Sequence, residues 1–204
     1  LKAWSDKEFF QNDVKKFLQQ DKEAFPEEDG ILFIGSSSIR FWLSLESDMR
    51  PFPVINRGFG GAQIVHVNNH LEEIVFPYKP KAIVFYCGSN DLAGLKTPEE
   101  VFNDFQYFLT AISQHLPEAK LFVIGVKPSP SREYQKNKQI SLNNMIRNLS
   151  DTNESLYFLD VRPSMLLTSG KADPSLFVKD MLHMNKKGYE VWTRIVKTAL
   201  IENL

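Results

Sequence analysis

The chain is 204 residues long, 43% hydrophobic and 24% charged, and its 24 basic and 25 acidic side chains leave a formal net charge of -1. That balance excludes a polyanion binder, so no nucleic-acid partner is expected. A single cysteine, Cys87, excludes an internal disulfide, and no apolar run approaches the ~20 residues that would span a bilayer. The expectation is one soluble domain over residues 1–204. Its first residue is Leu1, not Met, so it is either cytoplasmic or exported after signal-peptide removal.

An N-terminal helix is expected over about residues 5–21 and packed on the core. Ser5 and Glu8 have the capping-box spacing, and Phe9, Phe10, Val14, Phe17 and Leu18 form one apolar stripe. Ile31–Ile34, bounded by Gly30 and Gly35, reads as a strand buried on both faces. Ser36, Ser37 and Ser38 then open a helix to about Leu45. Val54-Ile55 begins a second strand that ends in Asn56-Arg57-Gly58-Phe59-Gly60-Gly61, and a helix with Ile64, Val67 and Leu71 inward follows. Ala82–Tyr86 is a central strand by its β-branched and aromatic content, running into Cys87-Gly88-Ser89-Asn90-Asp91. Cys87 reads as a small core residue. A helix starts at Thr97-Pro98-Glu99-Glu100 and reaches about His115. A strand at Leu121–Ile124, a stiff loop Lys127-Pro128-Ser129-Pro130-Ser131-Arg132, a helix over 136–150 and a strand at Leu156–Leu159 come next. A loop of about twenty residues leads to Asp180-Met181-Leu182-His183 and a last helix over 185–201. Strand and helix alternate throughout. The fold class expected is α/β, with a doubly wound, mainly parallel five-stranded sheet.

Four polar clusters fall where strands end or just before the last helix: Ser36–Ser38, Gly58–Gly61, Gly88–Asp91 and Asp180–His183. A parallel sheet brings such ends to one edge. Ester hydrolysis needs a nucleophile, a base, a group that orients the base, and donors for the oxyanion. A serine needs an adjacent base, and His183 fits, with Asp180 three residues earlier to hold its ring. The Asn90 side chain, the Ser37 N–H and a glycine N–H at 60–61 would serve the oxyanion.

Together these blocks resemble the SGNH hydrolases, also called GDSL-like esterases or lipases, from about Ile31 to Trp192. The resemblance implies a three-layer flavodoxin-like α/β/α fold and a serine esterase without metal or other cofactor. It places the nucleophile at Ser37 rather than Ser38, the base at His183, the orienting acid at Asp180, and the oxyanion donors at Ser37, Gly61 and Asn90. Two positions depart from the family pattern: Ser36 stands where an acidic residue is usual, and Met181 where a glycine is usual. With the Lys127–Arg132 segment, the pattern most resembles bacterial members similar to the platelet-activating-factor acetylhydrolase type. That implies short acyl groups, above all acetyl, on a small-molecule ester whose alcohol is a sugar or a lipid. Arg132 and Met181 are expected at the rim of the substrate site. Oligomeric state is not legible.

The same residues admit two other uses. Asn90, Asp91, Asp180 and His183 could bind a divalent metal for phosphoester hydrolysis, or the fold could be a silent sugar- or lipid-binding module. His66 and His70 lie one helical turn apart and read as a polar helix face rather than a metal site, and Trp42 and Trp192 read as core. Should His183 be the base, activity falls on the acid side of an imidazole titration, ordinarily near ~6.5. A flat rate between about pH 5 and 8 would count against that role.

Overall fold

The structure, a computed structural model, describes residues 7–204. Ser5, and with it the expected capping box, lies outside the described residues. The chain enters through a 3-10 turn, Lys7–Phe10, and helix α1, Gln11–Glu23. Phe10 and Val14 are buried, whereas Phe9 is half-exposed, so the inward stripe is narrower than the sequence pattern.

Strand β1, Ile31–Gly35, is buried at every position. The helix expected to run on to Leu45 is instead two single turns, α2, Ser37–Arg40, and α3, Leu45–Asp48. The break between them lets Trp42 turn fully inward while its indole N–H donates to Asp48 at 2.7 Å. After β2, Val54–Gly58, the next helix is likewise divided into α4, Ile64–Asn68, and α5, Leu71–Ile74. The remaining elements are β3, Ala82–Tyr86; α6, Ser89–Ala93; α7, Pro98–His115; β4, Lys120–Ile124; α8, Lys136–Ser150; β5, Leu156–Leu159; and α9, Lys186–Asn203. α7 carries a capping box between Thr97 and Glu100. The long 160–180 connection is not structureless: it holds two 3-10 turns, Pro163–Met165 and Pro174–Leu176, and the bridges Leu166–Ala172 and Phe177–Met184.

The five strands pair in the order β2-β1-β3-β4-β5 and every pair is parallel. The sequence pointed to a mainly parallel sheet; the one found is wholly so. Successive side chains on a strand face opposite ways, and both faces are packed. Leu32 and Ile34 join Ile83 and Phe85 in a core under residues of α1, α4, α5, α7 and α8. Ile31 and Phe33 join Val84 and Tyr86 under Trp42, Leu45, Trp192 and Val196. The result is the three-layer α/β/α architecture. Strand order reverses between β1 and β3, and crevices that hold ligands open at such reversals, beyond the strands' carboxyl ends.

Two glycines set how tightly this edge is built. Gly35 pairs with Gly58 on one side and Tyr86 on the other. A β-carbon at Gly35 would lie 1.9 Å from the Tyr86 carbonyl oxygen, and one at Gly58 would lie 2.2 Å from the Arg40 backbone nitrogen. Gly61 also has a positive φ, +78°, but a β-carbon there meets nothing within 4 Å. Gly35→Ala is therefore expected to cost about 3 kcal/mol or more, combining clash and strain, and Gly61→Ala only about 1 kcal/mol of strain. Urea unfolding of both variants checks this; equal losses would show that φ alone, not the close approach, decides.

Candidate active site

The site is built where β1, β2 and β3 end together. Past Gly35 the Ser36 N–H donates to Tyr86 O at 2.9 Å, and the chain turns into α2 with Ser37 as its first residue. As the first residue of a helix, Ser37 has an N–H with no intrahelical acceptor. Ser38 is buried, and its carbonyl accepts from Tyr189 Oη at 3.0 Å, so of the two candidate serines it is Ser37 that meets the histidine.

His183 comes from the other end of the chain. Ser37 Oγ and His183 Nε2 are 2.9 Å apart, and His183 Nδ1 and Asp180 Oδ2 are 2.6 Å apart. The turn that presents His183 is held by the same aspartate. Asp180 Oδ1 accepts from the N–H groups of Leu182 at 2.8 Å and His183 at 2.9 Å. Burial would raise the Asp180 carboxyl, but the bonds from the His183 ring and from these two N–H groups outweigh it and pull it down to about 2. An ionised carboxylate only accepts hydrogen bonds, so Nδ1 carries the ring proton and Nε2 offers its lone pair to Ser37.

Met181 stands inside this turn at φ +56°. Left-handed backbone is free for glycine and costs a side-chain-bearing residue about 1–2 kcal/mol, which accounts for a glycine suiting this position. The Met181 carbonyl accepts from both Ser131 N–H, at 3.1 Å, and Ser131 Oγ, at 3.0 Å. Its side chain is 38% exposed. On the opposite side the Phe41 ring stands edge-on to His183, centroids 5.1 Å apart.

Asn90 sits on α6, entered through Gly88 at φ +111°. Its Nδ2 donates to Ala62 O at 3.0 Å, and its Oδ1 accepts from Arg132 Nη2 at 2.9 Å. Arg132 Nη1 donates to Ser89 Oγ at 2.6 Å. The guanidinium expected at the rim is thus engaged with α6. Cys87 is a buried core thiol whose Sγ donates to Ala62 O.

Lys127 is the residue that the sequence did not single out individually. It is buried, and its Nζ donates to Leu182 O at 2.7 Å beside the Phe177 ring. Burial and the neighbouring Arg132 charge push it down to about 7, against the pull of Asp180. An apolar stretch followed by a lysine just before two prolines was the available signal, but it does not reveal the acceptor 55 residues away.

The groups weighed for a metal do not assemble. Asp91 is fully buried, accepts from the Ile64 N–H at 3.0 Å and lies 3.6 Å from Lys96 Nζ. No group of three or more His, Cys, Asp or Glu side chains that could hold a metal ion occurs among the described residues. His66 and His70 correct another expectation, since both are buried and do not form a polar face. His66 packs edge-on against Phe10 and accepts from the Gln63 N–H, while His70 pairs with Glu73. Phe9 and Phe10 of the entering turn supply the cover. Trp42 and Trp192 are core, as their spacing indicated.

Residues 37–191 match the sequence pattern of the GDSL-like Lipase/Acylhydrolase family. The chain belongs to that family. It is 29% identical over 191 residues to the human platelet-activating factor acetylhydrolase IB subunit alpha2, covering 85% of this chain and 76% of that one. Among solved structures it resembles a GDSL-like lipase from Bacteroides thetaiotaomicron, with TM-score 0.81, 21% identity, and 94% and 98% of the two chains covered. It also resembles a lipase/acylhydrolase from Enterococcus faecalis, with TM-score 0.69, 19% identity, and 84% and 95% covered. This GDSL-like family member is a hydrolase of ester bonds. No helix among its described residues is long and apolar enough to cross a membrane.

The Lys127 environment predicts a stability signature. Its folded-state value near 7 lies below the unfolded ~10.4, so between these pH values the unfolded chain binds more protons and stability rises with pH. Lys127→Met removes this rise. Urea unfolding at several pH values should show wild type gaining on Lys127→Met above pH 7, by at most about 1.4 kcal/mol per pH unit. Parallel curves would mean that Lys127 ionises as an exposed lysine does.

Proposed function

We propose that this family member is a serine esterase of short acyl groups, acetyl foremost, and that residues 1–204 form one domain serving one site. The observation that carries the reading is the 2.9 Å contact of Ser37 Oγ with His183 Nε2, backed by the Asp180 bond at 2.6 Å on the far side of the ring. Ser37 attacks the ester carbonyl as its proton passes to Nε2. The imidazolium so formed is stabilised by ionised Asp180, which does not itself take the proton. The developing oxyanion is received by the Ser37 N–H, the Gly61 N–H and the second hydrogen of Asn90 Nδ2, whose first is committed to Ala62 O. The alcohol leaves with the proton from His183. Water then attacks the acyl-serine by the same path, restoring the enzyme.

No step calls for a cofactor. The acyl preference is supported by two apolar side chains beside the reacting groups, Phe41 against His183 and Met181 in the acid–base turn. It is further supported by the acetylhydrolase relative, whose name gives its own activity. The substrate is then a small acylated sugar or lipid.

The test is p-nitrophenyl acetate against longer acyl esters, with and without EDTA, for wild type, Ser37→Ala and Asp180→Asn. Turnover is expected to be indifferent to chelator, to fall with acyl length, and to vanish in Ser37→Ala. Asp180→Asn is expected to lower kcat about 10⁴-fold by reversing the ring tautomer. Retained activity in Ser37→Ala would sink the nucleophile assignment, and loss of wild-type turnover in EDTA would point to metal chemistry instead.

A further inference from the structure

The loop Lys127–Arg132 touches both halves of the site. Lys127 holds Leu182 O and Ser131 holds Met181 O, so this loop braces the turn that presents His183. Arg132, at its end, reaches the other half. One nitrogen of its guanidinium donates to Ser89 Oγ at 2.6 Å and the other to Asn90 Oδ1 at 2.9 Å. A primary amide has two ends that differ only in which can donate. A fixed cation at Oδ1 decides the orientation: Oδ1 must face Arg132, and Nδ2 must face Ala62 O.

We infer that Arg132 is a positioning residue for the oxyanion, clamping Ser89 and Asn90 with a two-pronged guanidinium so that Asn90 Nδ2 is locked as a donor. The inference rests on the proposed role of Asn90 and goes beyond it. The clamp acts in two ways. It removes the amide flip that would aim Oδ1 at the oxyanion and replace attraction with repulsion. It also polarises the amide, since a carbonyl oxygen that accepts from a cation leaves its N–H groups stronger donors. The guanidinium charge is felt nearby, adding to burial in pushing Lys127 down. Arg132 needs no contact with substrate for either effect. The fork needs both nitrogens, because a lysine ammonium presents one compact charge and does not fix two acceptors in register.

The experiment measures kcat and KM on p-nitrophenyl acetate for wild type, Ser37→Ala, Arg132→Ala, Arg132→Lys and Ser89→Ala, with folding followed by circular dichroism. Methylguanidinium at millimolar concentration is added back to Arg132→Ala. Loss of an oxyanion donor costs about 10²–10³ in kcat, so loss of its clamp is expected to cost about 10- to 100-fold, with KM within about twofold. Arg132→Lys should stay near Arg132→Ala, and methylguanidinium should restore a measurable part of kcat to Arg132→Ala alone. A trifluoromethyl ketone that mimics the tetrahedral adduct should lose affinity in parallel with kcat/KM.

A folded Arg132→Ala with unchanged kcat would overturn the clamp, and so would a loss confined to KM, which would make Arg132 a substrate contact. Full activity in Arg132→Lys would reduce the role to charge alone and overturn the fork. Were Arg132→Ala not to fold, Ser89→Ala decides: it removes one prong's acceptor, and a kcat lowered about threefold or more supports the clamp whereas an unchanged one rejects it. Ser37→Ala separates the two levels. If that variant keeps its rate, the serine mechanism and the clamp both fall; if it is dead while the Arg132 variants match wild type, only the clamp falls.

Discussion

At Gly35 the backbone of β1 passes the Tyr86 carbonyl so closely that a β-carbon would sit 1.9 Å from its oxygen, and at Gly58, the end of β2, a β-carbon would sit 2.2 Å from the backbone nitrogen of Arg40 in α2. These two approaches determine where Ser37 stands. With no side chain between them, three neighbouring strands end level, and the one-turn helix α2 is pinned to the sheet edge instead of riding above it. Ser36 N–H bonding to Tyr86 O completes the anchorage. The serine is thereby part of the sheet's own framework, while the groups that act on it arrive from connections. His183 arrives on the turn before α9, and Asn90 on α6 directly after β3.

The charges around this anchorage are ordered by burial and by hydrogen bonds. Asp180 is the most exposed of the ionisable groups in the constellation, and it is kept ionised by three bonds from its own turn. Lys127 is buried against that turn, and its Nζ donates to a single carbonyl, that of Leu182. Arg132 spreads its charge over two side chains of α6. Asp180 is thus the negative group held against the histidine, and Arg132 the positive group held against Asn90. In the proposed mechanism, the carboxylate stabilises the imidazolium and the guanidinium polarises the oxyanion donor.

Much of the fold was legible because parallel strands buried on both faces write themselves as apolar runs between glycines and prolines. Ile31–Ile34 and Ala82–Tyr86 are such runs, and the alternation of strands with helices pointed to a parallel sheet. The site was legible as four polar clusters at strand ends, since topology brings strand ends together whatever their separation in sequence. What periodicity could not reveal depends on partners from elsewhere. His66 and His70 look like a polar face until Phe10 covers one and Glu73 pairs with the other. The expected helix to Leu45 breaks because Trp42 must enter the core beneath β1, a demand of packing and not of local propensity. The Lys127–Arg132 loop reads as a proline-stiffened connection at the rim of the site, and only its acceptors, about 40 to 55 residues away, show it to be a brace.

β1 is paired along its whole length on both sides, to β2 and to β3. A strand in that position cannot slide or tilt without breaking two ladders at once. Phe41, Met181 and the 160–183 segment belong to the connections and lie outside any ladder of the sheet. Variation is therefore partitioned by architecture. Loop residues can be exchanged for a different acyl group or alcohol while the attacking oxygen keeps its place, and one sheet can serve as a common chassis for enzymes that differ only in what they admit.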